Sequence, residues 1–416
     1  MGKFSLFYFT LKQIMKPWYR SYYKSIRVEG LENLHPNRPK ILAANHQNAL
    51  MDPLLMIFSM REQPWFLARA DLFKSPVLAF LLNLIRIIPI YRIRDGKETL
   101  NQNQEQFKAV SKLLRMGNTI GIFPEANHAE PRKLRILKKG ITRIAFQAAI
   151  DSNWEMAPEI IPVGITYSKI QSHGQRVLVL YGKAIRVSEF RALHEESEIL
   201  AHNALREAIA KAIGKRIVDI RKEEEMDSIE TLRWFNDSHL NELLSFPENE
   251  NELRTMQDNI QRLEKGNRLS ATAMAENKLA KQLQACFPHR DAGYDYSIYH
   301  RWKKQSTLRT TLKGPLMQLL LIPFTLLWGL PYWGMNLYVK YYVADPCFKS
   351  TMQFGYGWAV VLLWSAVLSG LLSFYAAEIP FWVTYPLAYL SASLGMVLLN
   401  QAEEYRIYRR AKKLFK

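Results

Sequence analysis

Cysteine is nearly absent from this sequence. The chain has 416 residues but two cysteines, Cys286 and Cys347, which are far apart and belong to no metal-ligand spacing pattern. The sequence therefore indicates neither a disulfide framework nor a zinc motif, and we expect no metal site. The low cysteine content favours a reducing compartment.

Acidic residues are also in the minority. Asp and Glu number 38 against 56 Lys and Arg, which gives a formal net charge of +18. This balance predicts a polyanionic partner, such as nucleic acid, an anionic membrane surface or phosphorylated substrates. No nucleic-acid-binding motif occurs, and apolar segments near the C-terminus are atypical of that class. We therefore expect membrane lipids and phosphorylated molecules as partners, and no nucleic acid.

Residues 1–24 lack the pattern of a secretory signal peptide, because basic residues interrupt every apolar stretch. Aromatic residues such as Phe7 and Trp18 mix with Lys12 and Arg20. This mixture predicts an amphipathic helix that lies in the membrane interface, with rings at headgroup depth. A helix packed on the next domain is the alternative.

The C-terminal part contains three apolar segments without internal charge, at residues 314–339, 354–377 and 379–399. Each is long enough to cross a bilayer. Basic residues flank this block on both sides, including the tail 401–416, and the positive-inside rule places both flanks in the cytoplasm. That requires an even number of crossings. We therefore predict a re-entrant or interfacial first segment and two spans in the other segments, with three spans as the alternative.

The first segment contains several helix-breaking residues, and for this reason we predict that it differs from the other two. These residues are Pro323, Gly329, Pro331 and Gly334. Proline removes a backbone donor and clashes with the preceding turn, and glycine is a weak helix former. Together these residues predict an interrupted helix.

Short apolar runs and stretches with helical apolar spacing alternate over residues 25–187. The predicted strands are "SIRVEG", "PKILAAN", "PWFLARA", "NTIGIFPE", "EIIPVGITY" and "RVLVLYGKAIRV". This alternation predicts an α/β domain with a mixed sheet and flanking helices, followed by a helical region and C-terminal transmembrane helices. The charged region 188–313 is predicted to be helical and carries no motif that indicates its role.

The stretch "NHQNALMD" places His46 and Asp52 between a predicted strand and a predicted helix. Asp52 before Pro53 predicts a helix N-cap followed by proline at the first helical position. A loop could fold His46 back onto the Asp52 carboxylate, which would keep one ring nitrogen protonated. The other nitrogen could then remove a proton from a hydroxyl nucleophile. A loop histidine beside a helix cap is the structural alternative.

Three further blocks follow in order, "IPIYR", "IFPEANH" and "IIPVGITY". Together the four blocks resemble the glycerophospholipid acyltransferase family, the superfamily of bacterial lysophosphatidic acid acyltransferases, over roughly residues 25–190. Five residues lie between the histidine and the acid here, against four in the commonest form. This spacing resembles the branch that includes glycerol 3-phosphate and dihydroxyacetone phosphate acyltransferases with C-terminal hydrophobic segments.

The resemblance implies roles for residues of the first two blocks. His46 and Asp52 match the catalytic pair, in which the histidine deprotonates the acceptor hydroxyl and the oxygen attacks an acyl thioester. Arg92 matches the arginine that holds the acceptor phosphate, and a guanidinium fits a phosphate bidentately. A surface salt bridge is the structural alternative for Arg92.

The remaining blocks match less completely. Glu125 matches the acid that positions the acceptor, but Ala126 stands where the family usually has glycine, so the acceptor pocket could differ. Asn45 is placed with the substrate-binding residues. Pro162 matches the fourth block, which shapes the acyl-donor side; a strand-edge proline is the alternative.

These observations predict a membrane-bound O-acyltransferase with its catalytic domain on the cytoplasmic face. It would move a fatty acyl group from acyl carrier protein or coenzyme A to a hydroxyl of glycerol 3-phosphate or lysophosphatidic acid, with no cofactor besides that co-substrate. Another acceptor, such as a lyso-aminolipid, is an alternative. A non-enzymatic membrane scaffold is the alternative from a different class.

Overall fold

The computed structural model describes residues 4–36, 38–90, 99–128, 132–168, 170, 173–222, 226, 246–265, 307–376 and 378–414. The chain divides into two compact units. The first contains Met1–Ile14, Arg27–Thr166 and Leu178–Asp219. The second contains Met15–Ile26, Tyr167–Val177 and Ile220–Lys416.

An eight-stranded sheet forms the centre of the α/β fold. Its strands are β1 (Tyr23–Glu29), β2 (Lys40–Ala44), β3 (Trp65–Arg69), β4 (Ile87–Ile90), β5 (Thr119–Ile122), β6 (Glu159–Tyr167), β7 (Gln175–Tyr181) and β8 (Ile185–Arg186). The order is β1-β7-β6-β2-β5-β3-β4, and β8 pairs with β6. Strand β2 is parallel to both β5 and β6, whereas β8 is antiparallel to β6. The predicted mixed α/β sheet is thereby confirmed.

The helices around this sheet occupy the stretches with helical apolar spacing. They are α1 (Leu6–Tyr22), α2 (Met51–Ser59), α3 (Pro76–Leu84), α4 (Thr99–Arg115), α5 (Gly140–Ile150), α6 (Arg191–Glu196) and α7 (Glu198–Gly214), with α8 (Glu250–Lys265) in the second unit. Helix α4 is followed by Gly117 in the left-handed region, at φ +72°. A glycine in this conformation is a common C-terminal cap of a helix.

Strand β4 was not among the predicted strands, because it is four residues long and contains Pro89. It is the last strand in the sheet order and pairs with β3. Proline lacks a backbone N–H. An edge strand tolerates it because the N–H groups that face away from the sheet have no partner strand to bind.

The core of the first unit lies between the sheet and helices α5 and α7. Helix α7 buries Ala201, Leu205, Ile209 and Ile213, which are four residues apart and share one face. These residues pack with apolar side chains of α5, β2 and β5. The first unit therefore extends to Asp219, whereas the sequence analysis placed a separate helical region from residue 188 onward.

The edge of the sheet where the parallel strands begin carries a polar network. The Lys40 ammonium, 1% exposed, donates to the His35 carbonyl at 2.7 Å and lies 2.9 Å from the Glu62 carboxylate. Glu159, opposite Lys40 in the register, pairs with His35 at 2.7 Å and Arg38 at 3.2 Å. Buried charges are stable only when they are paired in this way.

The first half of α1 is fixed by polar contacts within the first unit. The Ser5 backbone N–H donates to Gln63 Oε1 at 2.7 Å, and Lys12 Nζ donates to the Met60 carbonyl at 2.7 Å. Large apolar side chains of this half remain exposed, namely Phe4, Leu6, Phe7, Phe9 and Ile14. An amphipathic helix is present as predicted, and its place in the membrane interface stays a prediction.

Three long helices end the chain: α9 (Thr307–Tyr342), α10 (Pro346–Tyr375) and α11 (Phe381–Leu414). Each contains a segment of 28 or 29 residues that is long and apolar enough to cross a membrane, by length and composition. The predicted interruption of the first segment is wrong, because α9 is one continuous helix. Whether this segment spans the membrane or lies re-entrant or interfacial stays a prediction.

The continuity of α9 across Pro331 has a local cause. Proline lacks the N–H that would bond the carbonyl four residues earlier, which here belongs to Leu327. The indole Nε1 of Trp364 on α10 donates to this carbonyl at 2.7 Å. A neighbouring helix therefore supplies the missing hydrogen bond, which is how prolines are tolerated inside apolar helices.

Candidate active site

His46 and Glu125 follow the carboxyl ends of two adjacent parallel strands. Strand β2 ends at Ala44 and β5 ends at Ile122, and Ala43 is paired with Ile122. Loops at the carboxyl ends of parallel strands converge on one side of a sheet, where α/β proteins form their sites. Two of the predicted site residues are therefore brought together by the sheet register.

Asp52 shapes the loop between β2 and α2. Helix α2 begins at Met51 with Leu50 at the N-cap position and no side-chain cap. The prediction of Asp52 as the N-cap is therefore wrong. Its fully buried carboxylate instead accepts the backbone N–H groups of Gln47 and Asn48 at 2.8 and 2.9 Å. The carboxylate is used by the loop in front of the helix, so it is not free to cap the helix.

The same carboxylate oxygen lies 2.7 Å from Nδ1 of His46. Because Asp52 Oδ2 already accepts two backbone protons, it acts as an acceptor toward the imidazole, and Nδ1 carries the proton. The lone pair of a neutral ring is then on Nε2, which has no hydrogen-bond partner among the described residues. The side chain of His46 is 16% exposed, so this nitrogen can be reached. This is the arrangement of a general base and its orienting acid.

An aromatic stack fixes the plane of the imidazole. The Phe123 ring lies 4.2 Å from the His46 ring at an interplanar angle of 22°, and the Phe66 ring is stacked with Phe123 at a centroid distance of 6.2 Å. Phe66 lies over Gly121, where an added Cβ would be 2.2 Å from its ring. The absence of a side chain at Gly121 therefore allows the stack to form.

Glu125 binds the backbone of the histidine. Its Oε1 accepts the His46 backbone N–H at 2.9 Å, and its Oε2 accepts Nε of Arg135 at 2.6 Å. Arg135 also donates to the His46 carbonyl at 3.2 Å. Burial raises the pKa of the Glu125 carboxyl, and the charge of Arg135 opposes that rise. Glu125 and Arg135 thus bind the backbone N–H and the backbone carbonyl of His46.

Ala126 adopts a left-handed backbone conformation, with φ +67°. Its N–H donates to the Phe123 carbonyl at 3.0 Å, which closes the turn that carries Glu125. Left-handed geometry costs an L-residue roughly 1–2 kcal/mol, and glycine adopts it freely. The turn therefore explains why glycine suits this position, and Ala126 keeps the same shape at an energetic cost.

Asn45 and Pro162 lie deeper in the domain. The Asn45 side chain accepts from the Ile165 N–H at 2.8 Å and donates to the Ile165 carbonyl at 2.9 Å. It thereby ties the catalytic loop to β6. Pro162 is buried within β6 opposite Ala43. Substrate binding by either residue stays a prediction, and Arg92 lies outside the described residues.

Phe123, Arg135 and His128 were not predicted as site residues. The edge of the His128 ring faces the His46 ring, with centroids 5.6 Å apart and planes at 90°. Phe123 and His128 are both part of the quoted "IFPEANH" block, and Arg135 is in the basic run behind it. The aromatic and basic character of these positions was visible, but the fold of the loop that brings them to His46 was not.

Comparison with known proteins identifies the α/β domain. Residues 25–166 match the family model described as Acyltransferase. The chain is 23% identical over 194 residues to a chloroplastic 1-acyl-sn-glycerol-3-phosphate acyltransferase of Arabidopsis thaliana, over 46% of this chain and 50% of the relative. It is 29% identical over 122 residues to a 1-acyl-sn-glycerol-3-phosphate acyltransferase of Borreliella burgdorferi, over 29% of this chain and 46% of the relative.

Among solved structures, the chain is similar to the 1-acyl-sn-glycerophosphate acyltransferase PlsC from Thermotoga maritima. The TM-score is 0.37 and the identity 18%, over 49% of this chain and 78% of the other. The chain spans about half the length of the curated relatives it matches.

Proposed function

Because residues 25–166 match the family model described as Acyltransferase, we propose that this chain transfers a fatty acyl group from a thioester to a hydroxyl of a phosphorylated glycerolipid precursor. The observation that carries the proposal is the geometry of His46. Its Nδ1 lies 2.7 Å from the buried Asp52 carboxylate, while Nε2 is reachable and without a partner in the described part of the chain.

The reaction needs a base because an alcohol is a poor nucleophile until its proton leaves. Nε2 of His46 accepts the proton of the acceptor hydroxyl as the oxygen attacks the thioester carbonyl. Asp52 stabilises the imidazolium that results. When the tetrahedral intermediate collapses, the carbon–sulfur bond breaks and the imidazolium returns its proton to the departing thiolate. The products are an ester and a free thiol, and the histidine is neutral again.

The acceptor in this proposal is lysophosphatidic acid, with glycerol 3-phosphate as the other candidate. The curated relatives are named 1-acyl-sn-glycerol-3-phosphate acyltransferases, which favours the first. A phosphorylated acceptor also fits the net charge of +18 and the predicted phosphate contact of Arg92. Arg135 is an unsuitable phosphate ligand because its guanidinium is already bound to Glu125.

The donor in this proposal is acyl coenzyme A or acyl carrier protein, and the reaction takes place at the cytoplasmic face of a membrane. Helices α9, α10 and α11 are long and apolar enough to insert. We expect the chain to stay in the membrane pellet after an alkaline carbonate wash, and deletion from Gly314 onward should weaken its retention. Complete release of the intact chain would contradict membrane insertion.

The decisive experiment measures acyl transfer by the purified full chain in lipid vesicles. Acyl coenzyme A and acyl carrier protein are each tested against glycerol 3-phosphate, lysophosphatidic acid and a lyso-aminolipid. We expect transfer to lysophosphatidic acid and its loss in His46→Ala. Transfer to the lyso-aminolipid alone would overturn the acceptor assignment, and transfer by His46→Ala at the normal rate would overturn the mechanism.

The chain offers a matched control for this variant. Nδ1 of His35 also lies 2.7 Å from a buried carboxylate, that of Glu159, but at the edge of the sheet where the parallel strands begin. His35→Ala removes a histidine–carboxylate pair of the same kind, and Arg38 remains on Glu159. We expect this control to keep its turnover number, so that loss of activity in His46→Ala reports on chemistry.

A further inference from the structure

A second histidine cluster lies in the first unit, on helices α6 and α7. His194 belongs to α6, and Glu198 and His202 belong to α7. Glu198 and His202 are four residues apart on α7, which brings their side chains to one face of that helix. One donor atom from each lies within 4.8 Å of the other two.

The hydrogen bonds of His202 fix its tautomer. Nδ1 of His202 lies 2.8 Å from Oγ1 of Thr142, and the Thr142 hydroxyl donates its proton to the Lys139 carbonyl at 3.0 Å. Since that hydroxyl has one proton, its oxygen must accept from His202, so Nδ1 carries the hydrogen. The lone pair of a neutral ring is then on Nε2, which lies 3.7 Å from the Glu198 carboxylate.

A ring nitrogen lone pair and a carboxylate oxygen therefore lie side by side, and both are metal-binding groups. Neutral imidazole is the form that binds metal ions.

His194 contributes a further unsatisfied atom. Its Nε2 is buried and has no hydrogen-bond partner among the described residues. The Phe146 ring packs against both imidazoles, at 4.6 Å from His194 and 4.9 Å from His202. Both rings thus pack on one aromatic ring, and each has an Nε2 that can serve as a ligand atom.

We propose that His194, Glu198 and His202 form a site for a divalent transition-metal ion, with zinc as the best match. Two imidazoles and one carboxylate are a ligand set that zinc accepts. Ligand atoms at about 2.0–2.1 Å from a tetrahedral ion lie roughly 3.3–3.4 Å apart, close to the separation of His202 and Glu198. The Glu198 side chain is 71% exposed, so a fourth position is open to solvent.

The surroundings are compatible with a cation. Arg191 is the adjacent positive charge on α6, and it is paired with Glu195 at 2.8 Å and lies over the Trp154 ring. Thr142 has the role of an outer partner that orients a ligating histidine. A bound ion would link α6 to α7 at the point where they pack on α5. Cysteine spacing, on which the expectation of no metal site is based, gives no information about histidine ligands.

The experiment uses the full chain in detergent, purified without a histidine tag and stripped with a chelator. Titration with zinc chloride is followed by isothermal calorimetry, and cobalt(II) is followed by its visible absorption. We expect one zinc ion per chain and a tetrahedral cobalt spectrum. Glu198→Gln should weaken zinc binding at least tenfold, and Thr142→Val about 10- to 100-fold, the usual effect of losing an outer partner.

Glu195→Gln is the matched control, because Glu195 is an exposed acid next to the site whose pairing is with Arg191. It should leave zinc affinity within twofold. A chain that binds no zinc would overturn the proposal. Equal affinity in Glu198→Gln and the wild type would also overturn it, and since the exposed Glu198 is not part of the core, folding is not at issue. Neither result affects the assignment of acyl transfer to His46.

Discussion

Glu125 Oε1 accepts the backbone N–H of His46 at 2.9 Å, so the acid of the third block positions the base of the first block directly. The resemblance to known acyltransferases implied that this acid positions the acceptor. In this chain it also determines where the catalytic loop lies, together with Arg135, which donates to the His46 carbonyl. In the proposed reaction, Glu125 and Arg135 would therefore act through His46, as positioning residues.

Arg135 is expected to control the acidic side of the pH–rate profile. Burial raises the pKa of Glu125 and Arg135 lowers it, so removal of the guanidinium raises that pKa further. In Arg135→Ala, Glu125 becomes protonated at a higher pH, and the acidic limb of kcat/KM should move upward in pH. Arg135→Lys keeps the charge and should shift the limb less. An unmoved limb in both variants would show that the charge of Glu125 does not matter for catalysis.

His46 and Asp52 should behave as one functional unit. General-base catalysis is typically worth about 10² to 10⁴ in rate, so His46→Ala should lower kcat at least about a hundredfold. Asp52→Asn should lose much of the same factor, because it removes the charge that supports the imidazolium. The double variant should be little worse than the worse single one. Multiplicative losses in steady-state kinetics would show that the two side chains act independently.

Arg92 should act on one substrate. If its guanidinium binds the acceptor phosphate, Arg92→Ala raises the KM of the acceptor more than that of the thioester, and Arg92→Lys restores binding in part because it lacks the planar fork. The measurement is initial rates with each substrate varied in turn. Equal changes in both KM values would assign Arg92 to the fold.

Ala126→Gly should stabilise the domain. Relief of the left-handed conformation gives roughly 1–2 kcal/mol, and the greater freedom of glycine in the unfolded chain offsets about 0.4–1 kcal/mol. The net gain should be about 0.5–1 kcal/mol in denaturant unfolding. Ala109→Gly, on the exposed face of α4, is the matched control and should destabilise by about 1 kcal/mol. Destabilisation by both variants would contradict the conformation of Ala126.

The three apolar helices predict a labelling pattern. Single cysteines at Lys313, Ala344 and Glu378, in a chain whose native cysteines are replaced by serine, are tested with an impermeant thiol reagent on sealed vesicles. If α9, α10 and α11 all cross, Lys313 and Glu378 react from one side and Ala344 from the other. Reaction of Lys313 and Ala344 from the same side would mean that α9 does not cross, despite its continuity.

The layout of the sheet could be predicted from the sequence because its strands are continuous apolar runs between helical stretches. Strand β6 is buried along its whole length and reads as "EIIPVGITY", which no helical spacing resembles. Strand β4 was not predicted because four residues that include a proline show too little periodicity to indicate a strand. The continuity of α9 across Pro331 was not predicted, because Trp364, which donates to the Leu327 carbonyl, lies 37 positions further along the chain.

In the candidate site, contacts between residues close in sequence were predictable, and contacts between residues far apart in sequence were not. The pairing of His46 with Asp52 was predictable because only five residues separate them along the chain, although the N-cap role of Asp52 was not correct. The contacts of Glu125 and Arg135 with His46 span 79 and 89 positions. Such contacts depend on which strands are neighbours, and sequence order alone does not reveal that β2 lies beside β5.

The network around Lys40 and Glu159 has a consequence for how this domain can change over time. It anchors the beginning of β2, whereas His46 follows the end of the same strand, roughly 13–16 Å away along five residues. Substitutions on the loops around His46 therefore leave the ion pairs of Lys40 and Glu159 unchanged. A lineage of such domains could exchange one acceptor for another by altering loops alone, and retain its folding stability while it does so.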